Sequence, residues 1–88
     1  MGRSAISKQE VTAFPNPTSG DVTIRWSTKF SETQELNIFD ISGRSLKQLL
    51  VPSKTESLQI DMSAYQSGVY FIESKGKTER HIVKLIKQ

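Results

Sequence analysis

Gly68-Val69-Tyr70-Phe71-Ile72-Glu73-Ser74, then Lys75-Gly76-Lys77, then Thr78-Glu79-Arg80-His81-Ile82-Val83-Lys84-Leu85-Ile86-Lys87: two runs rich in β-branched and aromatic residues flank a short charged turn with a glycine. That is how a β-hairpin with a three-residue loop is written. Each run has apolar residues on both parities, Val69 and Phe71 against Tyr70 and Ile72, and Ile82 and Ile86 against Val83 and Leu85. Successive side chains on a strand point to opposite faces, so a half-buried strand alternates. This hairpin is therefore expected to be covered on both sides, or to keep one face for a partner.

Upstream lies Ser63-Ala64-Tyr65-Gln66-Ser67-Gly68. Ser63 with Gln66 three residues on has the form of a capping box, and Gly68 stands where a helical turn would end. One turn of helix is expected there, crossing between sheets. Gly68-Val69-Tyr70 also occupies the place where immunoglobulin-like folds put a Tyr whose hydroxyl bonds back to upstream backbone. Leu58, Ile60 and Met62 alternate with Gln59 and Asp61 and mark a strand. Before Pro52, residues 43–51 read as a strand with Leu46 and Leu50 on one face and Leu49 and Val51 on the other. Asp40-Ile41-Ser42-Gly43 is a turn in which Asp40 caps its own backbone and Gly43 closes it. Leu36 and Ile38 point inward from the preceding strand, and residues 28–35 read as a polar connection.

Asp21-Val22-Thr23-Ile24-Arg25-Trp26-Ser27 alternates cleanly, with Val22, Ile24 and Trp26 inward. Trp26 is expected to anchor the core. Val11-Thr12-Ala13-Phe14 makes a short first strand that ends at Pro15-Asn16-Pro17-Thr18-Ser19-Gly20. Each Pro fixes φ and removes a donor, and Gly20 is able to take positive φ, so this reads as a rigid corner. One glycine, no following Lys and no helix to open argue against a phosphate loop. Residues 1–10 show no periodicity and read as a linker or an expression remnant. About seven short strands at even spacing predict an all-β, immunoglobulin-like antiparallel sandwich, with Trp26, Leu36, Ile38, Leu58, Ile60 and Tyr70 in its core.

A chain of 88 residues is one domain. At this size folding buries only about 60–65% of the unfolded surface, and without cysteine no disulfide adds to stability. The net charge of +3 is unevenly placed: residues 1–74 hold seven Lys/Arg against eight Asp/Glu, residues 75–88 five against one. A lysine-rich last strand reads as a guarded edge, or as a handle for an acidic partner. No reading helix or aromatic-studded basic stripe points to nucleic acid. No apolar run approaches the roughly 18 residues of a membrane span, so no direct membrane insertion is expected. No basic-plus-apolar leader is evident either, so the chain is expected to be a soluble domain, or a piece of a longer protein whose targeting signals lie elsewhere.

The residues also argue against an enzyme. His81 is the one histidine and there is no cysteine, so a zinc ligand set is missing; His81 is expected on the outer face of a strand. No spacing singles out a nucleophile and its base. Asp40 and Asp61 stand in turns beside Ser42 and Ser63, with too few oxygens for calcium. No catalytic residue, metal or cofactor is expected, which leaves a binding or signal module.

Four motifs then read together: Phe14-Pro15-Asn16-Pro17-Thr18-Ser19-Gly20; Phe39-Asp40-Ile41-Ser42-Gly43-Arg44; Ile60-Asp61-Met62-Ser63 with Gly68-Val69-Tyr70-Phe71-Ile72 downstream; and Val83-Lys84-Leu85-Ile86-Lys87. In this order they resemble the type A C-terminal sorting domain of type IX (Por) secretion cargo in Bacteroidetes, over residues 11–88. The resemblance implies a seven-stranded immunoglobulin-like sandwich that directs a cargo protein across the outer membrane. It implies outer-membrane translocon components as partners, and a sortase-like peptidase that commonly removes the domain, at a site in residues 1–10 or upstream. It also implies periplasmic transit, then the cell surface or the medium. The family positions fall on Pro15, Asn16, Pro17, Gly20, Asp40, Gly43, Gly68 and Tyr70, and on Lys84, Leu85, Ile86 and Lys87. The terminal lysines are expected to be exposed on a frayed end, free for translocon recognition. The alternative is an accessory sandwich, either a fibronectin-like spacer or a carbohydrate-binding module. A sugar platform would need two or three exposed aromatics on one face.

Overall fold

A computed structural model of the chain describes residues 10–88; the expected linker, apart from Glu10, lies outside the described residues. The strands are β1 (Val11–Phe14), β2 (Asp21–Trp26), β3 (Gln34–Asp40), β4 (Ser45–Val51), β5 (Ser57–Asp61), β6 (Gly68–Lys75) and β7 (Arg80–Lys87). They form two antiparallel sheets of order β1-β2-β5 and β4-β3-β6-β7. The all-β sandwich read from the sequence is the fold. β4 pairs with β3 rather than β5, which moves the fourth strand out of the sheet that holds it in constant-type immunoglobulin domains.

The core lies between the sheets. β2 contributes Val22, Ile24 and Trp26, facing Leu36, Ile38, Tyr70, Ile72 and Leu85, and Ile60 and Met62 close one end. Of the expected core only Leu58 is half-buried; it packs on the rest from β5. Phe30, in the expected polar connection, is instead buried, its ring edge-on to Trp26 at 5.3 Å. A lone aromatic in a polar stretch was its only sequence signal.

Three local expectations are corrected. Residues 63–67 form no helix: Asp61, not Ser63, is the cap, accepting from Ser63 N–H at 2.9 Å, and Tyr65 N–H bonds Met62 O in a single turn. The hairpin loop is Gly76–Glu79, four residues closed by Gly76 N–H to Glu79 O, because Lys75 stays in β6 opposite both Glu35 and Arg80. In β4 the register slips between Ile38↔Lys47 and Phe39↔Ser45, leaving Leu46 as the extra residue of a bulge. The bulge turns Leu46 towards the core together with Leu49, while Leu50 points to solvent.

Candidate functional site

The four motifs are far apart in sequence and meet at one end of the sandwich. In cross-strand register, Gly68 of β6 lies opposite Lys87 of β7, and Lys87 forms a parallel bridge to Thr18 of the corner. One step along, Tyr70 lies between Asp40 on β3 and Leu85 on β7. Met62 N–H donates to Gly20 O at 3.0 Å and ties the third motif to the first.

The corner holds the end of the chain. Asn16 Nδ2 donates to Lys84 O at 2.8 Å while its Oδ1 accepts from Ile86 N–H at 2.9 Å, so one side-chain amide stands in for a neighbouring peptide. Thr18 N–H donates to Ile86 O at 2.9 Å and Gln88 N–H to Thr18 O at 2.8 Å. Thr18 is itself buried: Oγ1 donates to Asp21 O and accepts from Gly20 N–H. That hydroxyl organises the turn, and Gly20 does not use positive φ. Pro15 and Pro17, both following cis peptide bonds, bracket Asn16. The terminus is therefore not frayed. Leu85 is fully buried, and Lys87 is 7% exposed with Nζ donating to Gln88 O. Of the last four motif residues, Lys84 and Ile86 are the ones with exposed side chains.

The other motif residues are turn and corner devices. Asp40 Oδ1 accepts from Ser42 N–H, Ser42 Oγ and Arg44 N–H, and Oδ2 faces Arg44 Nε at 3.2 Å. The Ser42 hydroxyl, then the Arg44 amide and charge, hold the Asp40 carboxyl below its ordinary value. Gly43 closes the turn at φ 90°, a conformation a Cβ would strain. Tyr70 Oη donates to Gln66 O at 2.6 Å, the tyrosine corner expected from Gly68-Val69-Tyr70. Gly68 at φ 154° opens that strand.

The hairpin's second apolar parity forms the outer face of the four-stranded sheet. Val69, Phe71 and Glu73 of β6 lie opposite Ile86, Lys84 and Ile82 of β7, and Phe71 also lies opposite Phe39 of β3. Ile82 is 52% exposed and Ile41 74%, and Phe39, Ile41, Phe71 and Ile82 line a shallow apolar depression. Glu73 is buried within this face by Asn37 and Arg80. Burial raises its pKa, but the Arg80 and Asn37 hydrogen bonds and the Arg80 and Lys75 charges outweigh it and hold the carboxyl low. The basic end is thus partly neutralised: Arg80 pairs with Glu73, Lys77 with Glu32 at 3.9 Å, and Lys87 is inside. Lys84 has no carboxylate partner among the described residues. His81 is not on the outer face. It lies opposite buried Ser74, half-buried on the core side of the sheet edge, with Nε2 3.2 Å from Glu79.

No group of three or more His, Asp or Glu gathers to hold a metal among the described residues. Of the seven aromatics only Phe14 is exposed, so the two or three ring platform of a sugar-binding module is not there. A family model described as the secretion system C-terminal sorting domain matches residues 12–88, nearly the whole chain. No curated protein matches the sequence.

Proposed function

The chain belongs to the family of secretion-system C-terminal sorting domains, and from that premise we propose how its surface is used. It is a type IX secretion signal, implying export across the outer membrane to the cell surface or the medium and interaction with that machinery. The accessory-sandwich alternative is not favoured.

Residues 11–88 act as the sorting unit and residues 1–10 as its tether to cargo. The cargo passes through the periplasm, outer-membrane translocon components take up the folded domain, and a sortase-like peptidase then removes it. The domain acts as an address and performs no chemistry. Recognition runs through the last strand, in the segment Lys84, Leu85, Ile86 and Lys87. Leu85 and Lys87 set its position from inside, while Lys84 and Ile86 are presented outward. The observation that carries this reading is that every other family motif is engaged in building the end of the sandwich that holds this strand. The remaining family positions, Pro15, Asn16, Pro17, Gly20, Asp40, Gly43, Gly68 and Tyr70, are scaffold.

The test fuses the 88-residue chain to the C-terminus of a periplasm-directed reporter in a host with the type IX system. Reporter in the medium or on the surface, lost in a strain without the translocon, is the expected result. Equal export from both strains ends the reading.

A further inference from the structure

The edge of β7 is divided in two. On a regular antiparallel strand the backbone groups of alternate residues point to opposite sides. Lys84 O, Ile86 N–H, Ile86 O and Gln88 N–H point away from β6, and all four are taken by Asn16 and Thr18. The β6–β7 register runs from Gly68↔Lys87 to Lys75↔Arg80 without a slip. The same alternation therefore turns Ile82 N–H, Ile82 O and Lys84 N–H outward. Among the described residues none of these three has a hydrogen-bond partner. The sheet's other edge, β4, is blunted by the Leu46 bulge and by Pro52. β1 passes near β7 from the opposing sheet, and among the described residues Asn16 and Thr18 are the ones that hydrogen-bond to this edge.

We infer that this open half-edge, residues 80–84, is a strand-addition site for an extended segment of the export machinery that carries an apolar side chain next to a carboxylate. The inference rests on the sorting function and names how the partner binds. Three main-chain groups in a row supply the ladder. Ile82, with Phe71 and Phe39 beyond it, supplies an apolar contact on the outer face. Lys84, an exposed cation on the same face that has no carboxylate partner among the described residues, selects an acidic neighbour. The corner fixes the register by ending the free edge at Lys84 O, so an added strand cannot slide towards the terminus.

The experiment uses the 88-residue chain, free and as the reporter tail. Ile82→Pro removes one outward N–H and none of the β6 ladder, the position at which an edge strand accepts Pro. Lys84→Glu reverses the free charge, and Lys84→Arg keeps it. The expected result is cooperative melting for all three, export reduced at least tenfold for Ile82→Pro and Lys84→Glu, and parental export for Lys84→Arg. Parental export of folded Ile82→Pro and Lys84→Glu overturns the inference while leaving the sorting function standing. Loss of parental export in the translocon strain removes that function itself. If Ile82→Pro does not fold, Lys84→Glu decides alone. A parent that dimerises by sedimentation and becomes monomeric on Lys84→Glu assigns the edge to a second copy and also overturns the inference.

Discussion

The indole N–H of Trp26 on β2 donates to the hydroxyl of Ser74 on β6 at 2.9 Å, a buried hydrogen bond between the two sheets. The largest core side chain thus also carries a directional link, and both partners depend on it. Trp26→Ala should cost about 3–5 kcal/mol, comparable to the whole stability of so small a domain. Ser74→Ala leaves the indole N–H unpaired and should cost about 1–3 kcal/mol. Urea unfolding of each variant measures this; a Ser74→Ala chain as stable as the parent would mean the bond contributes nothing net.

Asn16 should matter more for stability than an exposed polar residue usually does. Asn16→Ala removes two hydrogen bonds to β7, each worth about 0.5–1.5 kcal/mol. Asn16→Asp keeps the acceptor but sets a carboxylate against Lys84 O, so it should be no better. Thermal melts that leave both variants within a degree of the parent would show that the corner does not hold the terminus.

Removing Lys87 and Gln88 deletes the Gln88–Thr18 bond and the Thr18–Lys87 bridge, leaving Thr18 tied to β7 by the Thr18–Ile86 bond alone. The expected loss is about 1–2 kcal/mol, well beyond that of a frayed end. An export defect in this truncation therefore has to be read beside its melting curve. A truncated chain that melts like the parent would restore the picture of a loose terminus.

Acid should weaken the fold through three carboxylates. Hydrogen bonds from the Ser42 hydroxyl and Arg44 hold Asp40 below the ordinary 3.8, and the Ser63 hydroxyl and amide, with the Lys47 charge, do the same for Asp61. Glu73 is held below 4.5 against the opposing effect of burial. A group with a lower pKa folded than unfolded binds fewer protons when folded, so its stabilisation is complete above the unfolded value and lost as pH falls through the folded one. The Tm should be flat between about pH 7 and 5 and fall below about 4.5. Asp40→Asn should be less stable than the parent at neutral pH and lose less on acidification. An unchanged acid slope in that variant would exclude Asp40 as a contributor.

Tyr70→Phe removes the bond to Gln66 O and nothing else in shape. It should cost about 1 kcal/mol by denaturant unfolding, with the dependence of unfolding free energy on denaturant concentration unchanged. A variant equal to the parent would make the tyrosine corner decorative here.

Strand existence, strand order along the chain and most core positions were legible in the sequence. Val22, Ile24, Trp26, Leu36, Ile38 and Ile60 follow from period-two alternation, and the Asp40–Gly43 and Tyr70 devices follow from local chemistry, all of which act within a few residues. The double-parity pattern of residues 69–72 and 82–86 marks two apolar faces; the chain itself covers one, and Ile82 and Ile86 stay exposed on the other. What tertiary structure alone decided depends on partners many residues away. Leu46 turns inward because of a register slip against β3. Phe30 is buried because the Trp26 ring waits beside its loop. Lys87, written like an exposed terminal cation, is enclosed because Thr18 and Asn16 complete the edge of its strand from the other end of the chain. A run of side chains can state which residues prefer burial. It cannot state which backbone groups a distant segment will satisfy, because that depends on which strand edge the folded chain brings beside it.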